Sequence, residues 1–349
     1  MIYFVNGFKT ILFIAMIFML QACGSSSGGG VELCSKTSLT TTYNLAGEVV
    51  SYQSIDFNAQ GNSTQGVTYN DPGLDLTWFT DDDVVSSYYA FTYDTYGNAI
   101  RTVSYSAAGA DATWFTDDDV ISSYNASEYD VNGNQVQYST YAGAGIDTNW
   151  FTGDDQVGSY FAYTYDANGN KAQLIIFSAE GADATWFTGD DQVSSYRTYT
   201  YDANDELTQT ISYLAAGTDT NWFTGDDVVG DFSTVDYDAN GNRTQYIIYN
   251  DSGADLTWGT GDDVENKYYS YTNDANGHLT QRVYYTGAGT DANWFTGDDD
   301  ITNYEAYTNN ANGYKTRVIK YTDSGSDAIW LTGDDIKTTE TEYRVLPCN

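Results

Sequence analysis

Apolar and polar residues alternate through most of this chain, and the alternation restarts at a fixed spacing. Val157 to Tyr165 alternates and is rich in Tyr, the pattern of a half-buried strand. Asp166-Ala167-Asn168-Gly169-Asn170 follows, and its Asn-Gly supplies the positive φ of a tight hairpin turn. Lys171 to Phe177 reads as a second strand, and Ser178 to Gln192 as a polar loop leading into the next copy. One repeat is therefore an antiparallel hairpin plus a loop of about 14 residues.

The second strand shows which face is buried. One parity carries a β-branched residue and then an aromatic, as in Val67/Tyr69, Val103/Tyr105, Ile175/Phe177, Ile247/Tyr249 and Val283/Tyr285. The opposite parity, with Thr68, Ser104, Thr140 and Ser212, is mostly polar. The sheet should have one core face and one wet face. Gln65, Gln137, Gln173, Gln209, Gln245 and Gln281 share the core parity, with Arg101 and Arg317 in the other two copies. Two readings fit that ladder: a hollow, partly solvated interior, or glutamines that satisfy one another.

All eight tryptophans, Trp78, Trp114, Trp150, Trp186, Trp222, Trp258, Trp294 and Trp330, stand 36 residues apart. A period without insertions means one unit was copied and stacked. The expected architecture is all-β: eight 36-residue hairpins, over about 52–339, forming one coiled antiparallel sheet. An eight-bladed propeller is the alternative, although 36 residues is short for four strands per blade.

The hairpin turns carry a recurrent motif. Tyr-Asp-x-x-Gly-Asn occurs at Tyr93–Asn98, Tyr129–Asn134, Tyr165–Asn170 and Tyr237–Asn242, with degenerate copies at Phe57, Tyr201, Asn273 and Asn309. The motif resembles the YD-repeat, or Rhs, family over roughly residues 43–345. That resemblance implies hairpins joined edge to edge into a hollow shell. It also implies, from some members, contact with carbohydrate or cell surfaces. The chain differs from that pattern in its longer period and its additional Trp-acid loop. With about 14 residues after the last acidic pair, an enclosed toxin domain is not expected.

The loop reads Gly-x-Asp-x-x-Trp-x-Thr-x-Asp-Asp in every copy. Its first Asp is Asp75, Asp111, Asp147, Asp183, Asp219, Asp255, Asp291 and Asp327. The closing pair is Asp82-Asp83, Asp118-Asp119, Asp154-Asp155, Asp190-Asp191, Asp226-Asp227, Asp262-Asp263, Asp298-Asp299 and Asp334-Asp335. These acids are kept more strictly than the Phe after Trp, which is Gly259 and Leu331 in two copies. Two like charges 4 Å apart near a surface cost about 4 kcal/mol. Hard oxygens at short spacing with a Gly-assisted turn suit Ca2+, so these acids are candidate metal ligands, with Thr152 and its equivalents as a further ligand or a brace. The spacing is not that of an EF-hand. The competing reading is turn chemistry and solubility alone. Trp is expected as a packing plug between hairpins, or else as a sugar-stacking platform.

The ends bear on location. Residues 1–22 carry Lys9, an apolar run from Ile11 to Leu20, and then Gln21-Ala22-Cys23. The run is too short to span a bilayer and fits a secretory signal. Leu-x-Ala-Cys resembles a bacterial lipobox, which makes Cys23 the lipidation site; an ordinary signal peptide is the alternative. Residues 23–33, with the run GSSSGGG, read as lipidated Cys plus tether. By resemblance to sorted lipoproteins, Gly24 implies an outer-membrane or cell-surface location in a Gram-negative envelope. Residues 34–349 form the single repeat domain. Its flanking Cys34 and Cys348 are expected as a disulfide in an exported protein, or else as two free thiols.

A formal net charge of −36 argues against nucleic acid and anionic lipid surfaces as partners. High charge can signal disorder, but 16 % aromatics with 33 Tyr give this chain ample surface to bury. The only histidine, His278, stands in a hairpin turn where other copies have Asn, and no Ser-His-Asp or Cys-His set is available. Eight identical acid loops suit binding or structure, since active sites are singular. The expectation is a lipid-anchored binding or adhesion protein, not an enzyme, with carbohydrate or a surface protein as partner. A structural envelope scaffold without metal is the alternative, and a carbohydrate-active enzyme is a third.

Overall fold

The computed structural model describes residues 36–44 and 47–346. The signal segment, Cys23, the tether, Cys34 and Cys348 lie outside the described residues. The first strand is β1 (Lys36–Tyr43). Eight hairpins follow: β2 (Val49–Phe57) with β3 (Ser63–Asp71), β4 (Val84–Tyr93) with β5 (Ala99–Ala107), β6 (Val120–Tyr129) with β7 (Gln135–Gly143), and β8 (Gln156–Tyr165) with β9 (Lys171–Ala179). The array continues with β10 (Gln192–Tyr201) and β11 (Leu207–Ala215), β12 (Val228–Tyr237) and β13 (Arg243–Asp251), β14 (Val264–Asn273) and β15 (Leu279–Gly287), and β16 (Asp300–Asn309) and β17 (Lys315–Asp323). The last strand is β18 (Ile336–Leu346).

Every strand pairs antiparallel with its sequence neighbours, and β1 also pairs with β18, from Thr37 opposite Leu346 to Tyr43 opposite Glu340. The sheet is thus a closed 18-stranded barrel, not a propeller. Closure of an antiparallel sheet needs an even strand count, and the two terminal strands add one pair to the sixteen of the hairpins. Hairpin boundaries read from the repeat at 157–192 agree with β8 and β9 to within two residues.

Each hairpin turn is closed by its first side chain. Asp130 Oδ1 accepts the N–H groups of Asn132 and Asn134, while Gly133 takes φ 83°. The Tyr before the turn reaches back to the previous hairpin: the Tyr129 hydroxyl donates to the Ala99 carbonyl, and Tyr165 to that of Gln135. The motif that defines the turn therefore also clamps neighbouring hairpins together.

The two faces of the sheet differ in their cover. The Val/Ile–aromatic parity is buried, including Val67, Tyr88, Val103, Tyr124, Ile247 and Val283, and the Trp loops fold over it. The other parity carries Tyr89, Tyr138, Tyr163, Tyr199, Tyr246, Tyr269 and Tyr307, half-buried. Side chains of this second set interact across two or three strands: Tyr163 with Tyr199, Tyr199 with Tyr246, and Tyr343 with Glu305. Tyr199 and Tyr246 stand three strands apart, a span that side chains bridge only on the concave side, so this set lines the lumen. Ser212, Ser233 and Val235 are buried beneath it. An 18-stranded barrel is too wide for side chains to fill.

The glutamine ladder consequently faces outward, contrary to the inward placement expected from its parity. Its face is buried because loops cover it, not because it lines the interior. Further toward the hairpin rim the same face exposes Thr92, Glu128, Thr164, Thr200, Asp236 and Thr272.

Candidate functional site

Eight near-identical loops crown one rim, and the loop at 145–155 shows how each is built. Gly145 opens it at φ 66°, where an added Cβ would collide with the Asp154 carbonyl oxygen. Thr148 and Phe151 are left-handed at φ 62° and 69°. Such residues cost energy that the surrounding contacts must offset. The equivalent of Phe151 in the sixth copy is Gly259 at φ 84°, a residue for which that conformation carries no penalty.

The three acids of a loop have three separate jobs. Asp147 Oδ1 accepts the Asn149 N–H at 2.7 Å, an Asx turn. Asp154 Oδ2 accepts the N–H groups of Ile146 and Asp147 at 2.7 and 3.0 Å, and its Oδ1 lies 2.7 Å from the Thr152 hydroxyl. Asp155 is the staple. Its Oδ2 accepts the Tyr124 hydroxyl and the Phe151 and Thr152 N–H groups at 2.7, 2.7 and 3.2 Å, and the residue is only 7 % exposed. Tyr124 belongs to β6, so this one carboxylate fastens the loop to the preceding hairpin. Burial, and then the bond to Asp155, hold the Tyr124 phenol far above its ordinary value, so it stays a donor.

Aromatic packing completes the staple. The Tyr124 ring stacks on Tyr141 at 4.2 Å and 6°, and Trp150 meets its edge at 5.9 Å and 80°. Such pairs contribute about 0.5–1.5 kcal/mol each beyond area burial. The tryptophan thus packs over the hairpin that precedes its own loop, not between two adjacent hairpins. In the sixth copy Phe232 replaces the staple tyrosine, and both ring contacts loosen, to 5.4 Å with Tyr249 and a 57° tilt with Trp258.

Sequence reasoning missed the tyrosine partner of the staple. The signal was present: a Tyr stands 31 residues before the second Asp of each pair in seven copies, from Tyr52/Asp83 to Tyr304/Asp335. Reading each loop in isolation hides it.

The acids do not converge as a three-acid cage. Among the described residues no group of three or more His, Cys, Asp or Glu is placed to hold a metal ion. The nearest approach is around the loop threonine: Thr152 Oγ1 lies 2.7 Å from Asp154 Oδ1, 3.1 Å from the Asn149 carbonyl oxygen and 3.5 Å from Asp147 Oδ1. The staple acids keep one buried oxygen, Oδ1, without a protein partner in Asp83, Asp119, Asp155, Asp191, Asp227, Asp263 and Asp335. In the seventh copy that oxygen lies 3.3 Å from the Thr296 hydroxyl. His278 lies apart from these loops, its Nδ1 3.2 Å from Asp274 in an exposed turn.

The hydrogen bonds set a pH dependence. The Thr152 hydroxyl, then backbone N–H groups, hold Asp154 below the usual carboxylate range, and Asp82, Asp118, Asp190 and Asp262 are held down in the same way. A depressed folded pKa gives stability that is present above the unfolded value of about 3.9 and lost as pH falls through the folded value. The melting temperature should therefore hold from pH 7 to about pH 5 and drop below about pH 4. A melting temperature that instead climbs steadily on acidification would show that relief of charge repulsion outweighs these bonds.

No protein-family model matches this chain, and no curated relative matches it. Solved structures align with it at low identity. A porin-like protein from Bacteroides uniformis ATCC 8492 aligns over 90 % of this chain and 98 % of its own, at 11 % identity and TM-score 0.39. A TcdB2-TccC3-Cdc42 structure aligns over 81 % of this chain but 13 % of its own, at 16 % identity and TM-score 0.33. A protein of unknown function from Bacteroides fragilis NCTC 9343 aligns over 41 % of this chain and 91 % of its own, at 17 % identity and TM-score 0.28.

Proposed function

We propose that this chain is a lipid-anchored binding or adhesion barrel of a bacterial envelope, built on YD-like repeats and held outside the bilayer. The observation that carries the reading is the polarity of the two rims. β1 starts and β18 ends at the hairpin rim, where Lys36 pairs with Phe57 beside the 58–62 turn. The eight acidic loops crown the other rim. A lipid on Cys23 and the tether after it would hold the hairpin rim near the membrane and present the loops away from it. The polar convex face fits a barrel that stands on the membrane, not in it. Eight repeated, internally bonded loops support a binding or structural role over a catalytic one.

The test is fractionation of cells expressing the full chain and its Cys23→Ser variant. The parent should sediment with membranes and carry an acyl mass on Cys23, and the variant should be soluble. Equal sedimentation of both would remove the anchor from the proposal.

A second reading is that calcium orders the loops. Two acids and a carbonyl around Thr80, Thr152 and Thr296, and the unpartnered Oδ1 of the staple acids, favour it; the lack of a three-acid cage weighs against it. Ligand binding stabilises by RT ln(1 + [L]/Kd), about 2.7 kcal/mol per site at 100 Kd. The full chain in detergent should then melt many degrees higher in millimolar Ca2+ than in EDTA. A melt unchanged by Ca2+, or raised equally by Mg2+, leaves the acids as hydrogen-bond acceptors only.

A further inference from the structure

We infer that the barrel lumen binds an anionic oligosaccharide along the strip from β9 to β17. The inference deepens the reading of the chain as a binding protein and names where the ligand sits. It starts from how charge is sorted between the two faces. The chain has 13 Lys and Arg against 49 Asp and Glu. Yet basic residues predominate on the lumen side of these strands.

Four of these cations lie on tyrosine faces. Lys171 Nζ stands 4.0 Å from the Tyr163 ring centroid and Lys315 Nζ 4.7 Å from that of Tyr307. The Arg243 and Arg282 guanidinium carbons lie 5.6 and 5.5 Å from the rings of Tyr271 and Tyr269. Arg197, Lys267 and Lys320 share the lumen-facing parity of their strands. Strand carboxylates facing the same way are Asp231 and Glu305. Only Arg282 of the seven cations is in a described ion pair, 2.9 Å from Glu305. Burial pulls the Lys171 and Lys315 ammonium groups below their ordinary range. Lys171 is desolvated and in no described ion pair, while Lys315 also feels the Glu305 carboxylate, and desolvated cations are strong partners for an incoming anion.

The rest of the lumen differs. From β2 to β8 no Lys or Arg faces inward, and Arg101 points outward, 4.5 Å from the Phe151 ring. The basic residues therefore form one strip, interleaved with the half-exposed rings of Tyr246, Tyr269 and Tyr284. Tyr284 stacks on Tyr269 at 4.6 Å and Arg282 also lies on Tyr269, so Tyr246 and Tyr284 are the rings that offer a face to a sugar, and the cations offer partners to carboxylate or sulfate. A peptide occupant would gain most from pairing with a free strand edge, and a closed barrel has none. The observations therefore favour an acidic sugar over an acidic peptide.

The experiment is calorimetric titration of the full chain in detergent with four probes of similar length: a galacturonate oligosaccharide, a sulfated oligosaccharide, a neutral glucan and a polyglutamate peptide. One or both acidic sugars should bind at least tenfold more tightly than the glucan and the peptide. The triple variant Arg197→Ser, Lys267→Ser, Lys320→Ser removes three cations outside the described ion pairs, with Lys320 directly across from Glu305, and should lose at least tenfold in affinity while keeping the parent melting temperature. Lys337→Ser, on the convex face, should bind like the parent. If the triple variant misfolds, each single variant is titrated, and at least one that melts like the parent should bind several-fold more weakly. Acidic sugars that bind all folded variants equally would overturn the lumen site while leaving a binding function intact. Preference for the glucan or the peptide would overturn the ligand class. No binding by any probe, together with no binding to a broad glycan array, would overturn both the site and the sugar-binding role.

Discussion

A chain ending at Asp335, and so lacking β18, should lose the monomeric barrel and form dimers or larger species on light scattering. β18 is paired along both sides, to β17 through Arg317–Glu342 and Ile319–Glu340 and to β1 through Thr41–Glu342 and Thr40–Tyr343. Its removal leaves β1 and β17 with unpaired N–H and C=O groups along eight and nine residues. Such edges are templates for pairing with another chain. The Arg317–Glu340–Lys337 ion-pair network is lost with it. Bringing residues about 300 apart together costs about 5 kcal/mol in a flexible chain. Here each hairpin is already clamped to the last, so much of that ordering cost is offset before the ends meet. A truncated chain that remained monomeric with an unchanged melt would mean that closure contributes nothing.

Asp155→Ala should destabilise the barrel by about 3–5 kcal/mol, since it strands the Tyr124 hydroxyl and the Phe151 and Thr152 N–H groups, each at about 1–3 kcal/mol. Tyr124→Phe should cost less, about 1–2 kcal/mol, because two donors still reach the acid. The sixth copy already lives with that arrangement: Asp263 remains buried, with the Gly259 and Thr260 N–H groups at 2.8 and 3.1 Å and Phe232 in place of the tyrosine. The reciprocal change, Phe232→Tyr, should stabilise by about 1 kcal/mol. Denaturant unfolding of the three variants checks the order. A gain in stability for Asp155→Ala would show that repulsion among the acids exceeds their bonding, and would return weight to a cation in the loops.

The staple also explains why the acids are kept while the residue after Trp is not. At 151 the backbone supplies an N–H and a left-handed turn, and the ring adds contact with Tyr124. Gly can supply the first two, so Phe can be replaced there. No residue but a short carboxylate supplies an acceptor for three donors at the place of Asp155. The hydrogen bonds therefore account for the repetition of Asp155 and its equivalents.

The 36-residue period, the Asn-Gly turns and the alternation in Val157–Tyr165 determined the hairpins by themselves, because φ requirements and side-chain period act within a few residues. The same local rules showed which parity is covered, since Val/Ile and Tyr recur on it. What covers that parity, and which way the sheet curves, lay beyond them. Curvature accumulates from the twist of many strands, and a strand looks the same locally whether its buried face is concave or convex. Gln137 was therefore read as facing inward although it faces out, and the lumen-facing cations went unnoticed among an excess of acids. Closure is the extreme case. Thr37 meets Leu346 only because seventeen earlier pairings bring them together. The roles of Asp147, Asp154 and Asp155 were likewise decided by the tertiary structure, because a carboxylate's partner depends on which donors the fold brings within 3 Å, and one of those donors comes from a strand 31 residues away.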